Sequence, residues 1–311
     1  MTTTTTTTEA LGLRRPEVLD LVDFDSLPES ISEALSALVP SPLVGPDPDG
    51  VSGYVTREVD GVRDLDVFSH AMDLGINVLL SGPTGSAKSS AARAFAAAWG
   101  LPFVSLAVNG GLDPSTIWGK VMVNSEGLVE FLSSPAGLVL RYGGVLVIDE
   151  INMAHPRVLA SLHELLSVFR SVSIAENSGE VVRAARPLLI VATMNPGYQG
   201  VAVLNTALAR RFSWTISWGY SSAVEEALIP SETLRDFASA VRELPEVRTD
   251  LSTDSLISFV ETASVLGPDF AAGRLVSVFS ESERGGVARA LELRLPSISE
   301  ELGLSGEEVS S

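Results

Sequence analysis

The stretch "GPTGSAKS", from Gly82 to Ser89, spaces two glycines, a lysine and a serine as a phosphate-binding loop does. The pattern G-x-x-x-x-G-K-[ST] is met except at Ala87, which stands where a glycine is expected. "INVLLSG" before the loop reads as a short strand, and "KSSAARAFAAAWG" after it reads as a helix closed by Gly100. In that setting the residues of the turn and helix start would wrap a triphosphate: Gly82, Pro83, Thr84, Gly85, Ser86, Ala87, Lys88, Ser89 and Ser90. Their N–H groups and the helix dipole favour the anion. Lys88 would reach the β- and γ-phosphates and Ser89 would ligate Mg²⁺. Ala87 adds one methyl group and is expected to fit with a negative φ at the helix start. The plain alternative is an ordinary strand–turn–helix.

Three further stretches carry chemistry. "VLVIDEIN" is an apolar strand ending in Asp149 and Glu150, at the strand end where open α/β sheets bind ligands. Asp149 would hold Mg²⁺ through water, and Glu150 would orient and polarise an attacking water. "LLIVATMNP" ends a second apolar run at Asn195, which could hydrogen-bond a γ-phosphate or that water, although asparagine also ends many strands. "LNTALARRFSW" closes a short helix with Arg210 and Arg211. Arginines donated by a neighbouring subunit can stabilise a transferred phosphoryl group, and two basic residues can equally do no more than complement a helix C-terminus.

These groups need a scaffold, and the rest of the chain supplies the pattern of one. Apolar strands "INVLLSG", "LPFVSLAV", "GGVLVIDE" and "RPLLIVATMNP" alternate with helical stretches. Their unbroken apolar centres point to burial on both faces and hence to a parallel sheet between helices. After "RRFSWTISWGY" only helical patterns follow, from "SSAVEEALI" to "SERGGVARALELRL". Residues 1–53, with seven threonines at positions 2–8 and a proline- and glycine-rich stretch before Tyr54, read as a disordered extension and linker. An α/β core is expected over 54–219, a helical lid over 220–295 and an acidic flexible tail over 296–311.

The chain has 311 residues, 45% hydrophobic and 19% charged, with a formal net charge of −18 and no cysteine. Thiolate zinc sites, disulfides and cysteine nucleophiles are therefore excluded. The acidic balance argues against gripping nucleic acid. No apolar run is long enough for a membrane span and no export signal is visible, so the expected location is the cytoplasm.

Taken in order, "GPTGSAKS", "VLVIDE", "ATMNP" and "ALARRF" resemble an AAA+ ATPase of the MoxR and dynein-related group, over about Tyr54 to Leu293. "LDPSTIWGKVMVNSEGLVEFLSSPAGLVLRYGG" resembles the β-hairpin inserted into helix 2 in that group, and "SVSIAENSGEVVRAARP" the hairpin before the sensor strand. The resemblance implies a P-loop core with a mainly parallel five-stranded sheet and a helical lid. It implies Lys88 and Ser89 as the Walker A pair, Asp149 and Glu150 as Walker B, and Asn195 as sensor 1. Arg211 matches the arginine finger, with Arg210 as the alternative. It implies ATP and Mg²⁺, a homo-oligomeric ring of six, and hydrolysis that remodels a protein client, including a von Willebrand factor A-type partner. One departure stands out: Asp254 occupies the place of a sensor-2 arginine, and Arg248 and Arg274 do not match that motif. Two other functions stay open, a nucleic-acid motor of the same clade and a nucleotide-binding switch or scaffold with little hydrolysis.

Overall fold

A computed structural model of the chain describes residues 12–21, 26–41, 53–108, 112–196, 204 and 206–304. The threonine tract, most of the proline- and glycine-rich stretch and the last seven residues lie outside the described residues. The chain divides into two compact units. One comprises residues 1–82 and 87–218, and the other residues 83–86 and 219–311.

The first unit carries α1 (Glu29–Ser36), a short hairpin of β1 (Glu58–Val59) and β2 (Val62–Arg63), and α2 (Asp64–Leu74), beside a sheet whose three central strands are buried on both faces. β3 (Asn77–Ser81), β4 (Phe103–Ala107), β7 (Gly144–Asp149), β10 (Leu188–Met194) and β11 (Trp214–Ser217) form one sheet in the order β11-β3-β10-β7-β4. All four pairings are parallel. Strand side chains alternate between faces, and the two cores follow that alternation. Leu79, Leu146, Ile148, Leu188, Ile190 and Ala192 enter one core. Val78, Leu80, Val145, Val147, Leu189 and Val191 enter the other.

α3 (Lys88–Trp99) covers the second face with Ala91, Ala92, Ala94, Phe95 and Ala96, all buried. Small side chains let this helix lie close to the sheet. Gly100 ends it in the left-handed conformation with φ 63, which glycine adopts without a Cβ penalty. α4 (Pro135–Tyr142) and α5 (Pro156–His163) supply Val139, Leu140, Val158 and Leu162 to the first face.

Two hairpins project from the same unit. β5 (Gly119–Val123) pairs antiparallel with β6 (Val129–Ser133), and β8 (Ser171–Ile174) with β9 (Glu180–Arg183). The first leaves Val121, Met122, Val123, Leu128, Val129 and Leu132 exposed.

The second unit is helical from α7 (Ser222–Leu228) through α8 (Glu232–Arg242), α9 (Thr253–Leu266), α10 (Pro268–Ser277), α11 (Glu281–Glu292) and α12 (Leu295–Glu301). Its core gathers Phe237, Leu256, Phe259, Leu275, Phe279 and Ile298.

Two stretches expected to be loose are packed instead. Leu13, Val18 and Leu19, on and beside a 3-10 helix at Glu17–Leu21, are buried in the second core beside the helix Asp64–Leu74. Arg14 ties them down by donating to Ser69 Oγ and pairing with Asp73. At the other end, α12 buries Ile298, and its Glu301 carboxylate accepts from Ser231 and Thr233 at the start of α8. In both cases a few apolar residues find a core although their stretch is too short to show a period.

Candidate nucleotide site

Parallel strands bring their carboxyl ends to one edge of the sheet. Register fixes the neighbours there: Met194 lies opposite Ser81, and Asp149 opposite Ala107. The residue after Ser81 is Gly82, whose N–H donates to Met194 O at 3.0 Å. A Cβ on Gly82 would lie 1.8 Å from the backbone oxygen of Trp218, so only glycine fits between the two strand ends. Trp218 is fixed in turn by its own N–H on Ser81 O (2.7 Å) and by stacking on Phe68.

Lys88 and Ser89 open α3. Lys88 Nζ folds back to donate to Gly82 O at 2.9 Å, which holds the ammonium over its own loop. Ser89 Oγ donates to Asp149 Oδ1 at 2.7 Å. Thr193 Oγ1 donates to the same carboxylate oxygen at 2.5 Å, and the N–H of Glu150 donates to Thr193 Oγ1 at 3.0 Å. One buried hydroxyl thus orients both acidic residues. Asn195 is buried beyond it, and its backbone oxygen accepts from Asn152 Nδ2 at 2.9 Å. The structure therefore gathers Gly82, Lys88, Ser89, Asp149, Glu150 and Asn195 at one edge. Thr193 and Asn152 were not singled out from sequence. The signal for Thr193 was a hydroxyl inside an otherwise apolar strand.

The expected negative φ at Ala87 is not what forms. Ala87 has φ 64 and ψ 31, a left-handed conformation at the residue just before the helix. The turn demands that geometry, and the alanine methyl accepts the strain, of order 1–2 kcal/mol for a non-glycine residue. Glu150 is also left-handed, with φ 55, directly after the strand. Such outliers gather at functional sites.

Pro83–Ser86 contact residues of their own unit. Tyr220 donates its hydroxyl to Thr84 O at 2.9 Å, and burial together with nearby Asp250 raises its pKa, so it stays protonated. Arg242 lies 3.9 Å over the Tyr220 ring and forms a two-bond pair with Glu225 at 2.7 and 3.0 Å. Thr253 also donates to Glu225. A Cβ on Gly85 would lie 2.4 Å from Ser252 Cβ and 3.5 Å from Asp254 Oδ2. The residue at the sensor-2 place is thus an acid beside the loop, and burial raises its pKa. Arg248, by contrast, uses its backbone N–H on Glu283, at 2.5 Å.

Arg210 and Arg211 lie elsewhere. They follow α6 (Thr206–Ala209), with Phe212 buried in the first core. Arg211 O accepts from Asn77 Nδ2 at 3.0 Å, and Asn77 is the first residue of β3. Gly82 follows the last. At about 3.3 Å per residue, the finger candidates and the phosphate loop stand at opposite ends of a strand roughly 17 Å long. Among the described residues no group of three or more His, Cys, Asp or Glu could hold a metal. A hydroxyl and a carboxylate oxygen 2.7 Å apart fit a different donor set, that of Mg²⁺, which takes one or two protein oxygens and completes its shell with water and substrate phosphates. Among the described residues no helix is long and apolar enough to cross a membrane.

A model described as "AAA domain (dynein-related subfamily)" matches residues 77–212. The uncharacterized protein YojN of Bacillus subtilis is 35% identical over 195 residues, 60% of this chain and 62% of that protein. The uncharacterized protein SH1500 of Staphylococcus haemolyticus is 31% identical over 205 residues, 64% of this chain and 73% of that protein. The match thus spans a little under two thirds of the Bacillus protein's length. Among solved structures, NtrX from Brucella abortus in complex with ADP is 16% identical with a TM-score of 0.39, over 74% of this chain and 48% of that one. The family match runs from the first residue of β3 to Phe212 and takes in the loop, the acidic pair, Asn195 and both arginines. The chain belongs to the dynein-related subfamily of AAA domains.

Proposed function

We propose that the chain hydrolyses ATP with Mg²⁺ at this edge of the sheet, in a ring of like subunits. The observation that carries the reading is the hydroxyl–carboxylate chain Ser89–Asp149–Thr193–Glu150, next to a lysine folded over the loop. Lys88 turns from Gly82 O to the β- and γ-phosphates, and the loop N–H groups take the remaining phosphate oxygens. Ser89 and Asp149 would hold Mg²⁺, Asp149 through water. The cation neutralises phosphate charge when bound. Glu150, held by its backbone on Thr193, orients a water against the γ-phosphorus. The water oxygen bonds to phosphorus, the bond to the β–γ bridging oxygen breaks, and ADP leaves with that oxygen. The water's proton departs toward Glu150, and Asn195 steadies the water or the γ-phosphate.

Arg211, with Arg210 as the alternative, serves a nucleotide on another copy. A side chain at the amino end of β3 cannot span the strand to its own Gly82. A contact between unlike ends of one subunit is heterologous, the kind of contact from which closed rings are built when the rotation closes. Resemblance to MoxR-like proteins supports a six-membered ring and a protein client, a von Willebrand factor A-type partner among the candidates. The apolar face of the β5–β6 hairpin, with Val123 65% and Val129 71% exposed, supports a protein client over nucleic acid. Exposed apolar patches of this kind mark protein contacts.

The test is phosphate release together with nucleotide binding. Lys88→Ala is expected to lose binding. Glu150→Gln is expected to bind ATP and release no phosphate. Wild-type turnover in Glu150→Gln would overturn the assignment of the water-orienting group.

A further inference from the structure

At the amino-terminal edge of the same sheet lies a cleft of about 500 Å³. Its wall carries five arginines, Arg170, Arg183, Arg186, Arg210 and Arg211, and no carboxylate. The chain holds 39 acidic residues against 21 basic ones, so this concentration runs against its composition. Like charges around one cleft repel, and the arrangement gains only when an anion enters.

Two of the five already donate to groups within the protein. Arg170 donates to Gly75 O, Asn77 Oδ1 and Leu188 O at 2.8, 3.0 and 2.8 Å. Its pKa is lowered to about 10 by burial and by Arg186, which still leaves it charged at neutral pH. Arg186 donates to Asp73 O. Asn77, which accepts from Arg170, donates to Arg211 O and so ties the base of the β8–β9 hairpin to the finger candidates. The other three guanidinia, on Arg183, Arg210 and Arg211, make no hydrogen bond or ion pair among the described residues. Planar guanidinium forks match phosphate oxygens.

The rim indicates how the anion arrives. Leu74, Val168 and Phe169 border the cleft with 62%, 88% and 68% of their surface exposed. Apolar and aromatic groups beside arginine are the composition of protein interfaces. The anion is therefore carried in by a protein surface. We propose that this cleft takes the terminal phosphate of a nucleotide held by a second copy of the chain, with Arg183 as a further guanidinium on that phosphate beside Arg210 and Arg211. Arg170 and Asn77 are positioning residues behind them. The proposal rests on the reading of the site as an ATPase completed between copies, and adds a residue from the β8–β9 hairpin to it.

The experiment compares Arg183→Ala and Arg183→Lys with wild type in phosphate release, in ATP binding by the Glu150→Gln form, and in mixtures with Lys88→Ala. Arg183→Ala should lower turnover by about 10²-fold, the usual effect of removing one preorganised donor. Affinity for ATP at low protein concentration should stay within about twofold, because the lost donor serves a neighbour. Arg183→Lys should fall between, since it keeps charge and loses the fork. Mixing Arg183→Ala with Lys88→Ala should restore turnover, because each Lys88→Ala subunit offers an intact cleft to a neighbour with an intact loop. Wild-type turnover in Arg183→Ala, with Arg211→Ala inactive, would overturn the role of Arg183 and leave the ATPase reading standing. Inorganic triphosphate binding to Lys88→Ala that vanishes in Lys88→Ala/Arg183→Ala, with turnover of Arg183→Ala unchanged, would assign the cleft to a free anion and overturn the second-copy source. No turnover in wild type at any concentration would overturn both readings.

Discussion

Replacing Thr193 by valine keeps the shape of a side chain that is 1% exposed and removes its hydroxyl. Two bonds go with it, one to Asp149 Oδ1 and one from the N–H of Glu150. A hydrogen bond to a charged group contributes about 1.5–3 kcal/mol. Asp149 is partly exposed and keeps Ser89 as a donor, so the lower end applies, about 1.5 kcal/mol. The orphaned N–H of Glu150 adds about 1 kcal/mol, since water can reach an exposed residue. The extra methyl of valine returns roughly 0.5 kcal/mol. The net is a destabilisation of about 2 kcal/mol, which lowers the urea midpoint of the sheet-bearing unit by about 1 M at an ordinary m-value. Turnover should fall by at least about tenfold, because the backbone that aims Glu150 is freed and small misplacements are costly. Thr193→Ser keeps both bonds and should stay close to wild type in both assays. Valine with wild-type midpoint and turnover, or serine as damaged as valine, would refute the claim that this hydroxyl organises the acidic pair.

Ala87→Gly relieves a left-handed alanine, worth about 1–2 kcal/mol, against about 0.5–1 kcal/mol of added chain freedom in the unfolded state. The urea midpoint should rise slightly, and a fall equivalent to about 1 kcal/mol would contradict the strain. Tyr220→Phe removes the bond to Thr84 O and leaves the ring under Arg242. Amide hydrogen exchange at residues 84–86 should speed up, and unchanged protection there would show that Tyr220 does not restrain the loop. The Glu283 carboxylate accepts from the hydroxyls of Ser280 and Thr249 and the N–H groups of Arg248 and Ser280, which hold its pKa at about 2 against an ordinary 4.5. Its folded pKa lies below its unfolded one, so its contribution is complete above pH 4.5 and is lost as pH falls toward about 2. Glu283→Gln should flatten the stability–pH slope in that window, and an unchanged slope would rule the group out.

The sheet could be read from sequence because strands buried on both faces are nearly continuous in Val, Leu and Ile, as "VLVID" and "LLIVA" are. The loop could be read because phosphate binding constrains residue types over eight consecutive positions. Other features escaped because their cause is not local. The turn sets the left-handed φ of Ala87, overriding the preference of the residue. Leu13, Val18 and Leu19 gain their burial beside the helix Asp64–Leu74, about 50 residues further on, and their own stretch carries no period. Thr193 looks like any polar interruption of an apolar strand until parallel pairing sets β10 beside both β3 and β7. The arginine cleft draws on positions from 170 to 211, and the sheet topology alone brings them to one edge.

The account turns on a nucleotide site completed by another copy. The most direct measurement is phosphate release per subunit from Mg²⁺–ATP across a wide range of protein concentration, for wild type, for Arg211→Ala and for Arg211→Ala mixed with Lys88→Ala. Turnover per subunit should rise with concentration in wild type, vanish in Arg211→Ala and return in the mixture. Turnover that is independent of concentration, or an active Arg211→Ala beside an active Arg210→Ala, would contradict a site completed in trans.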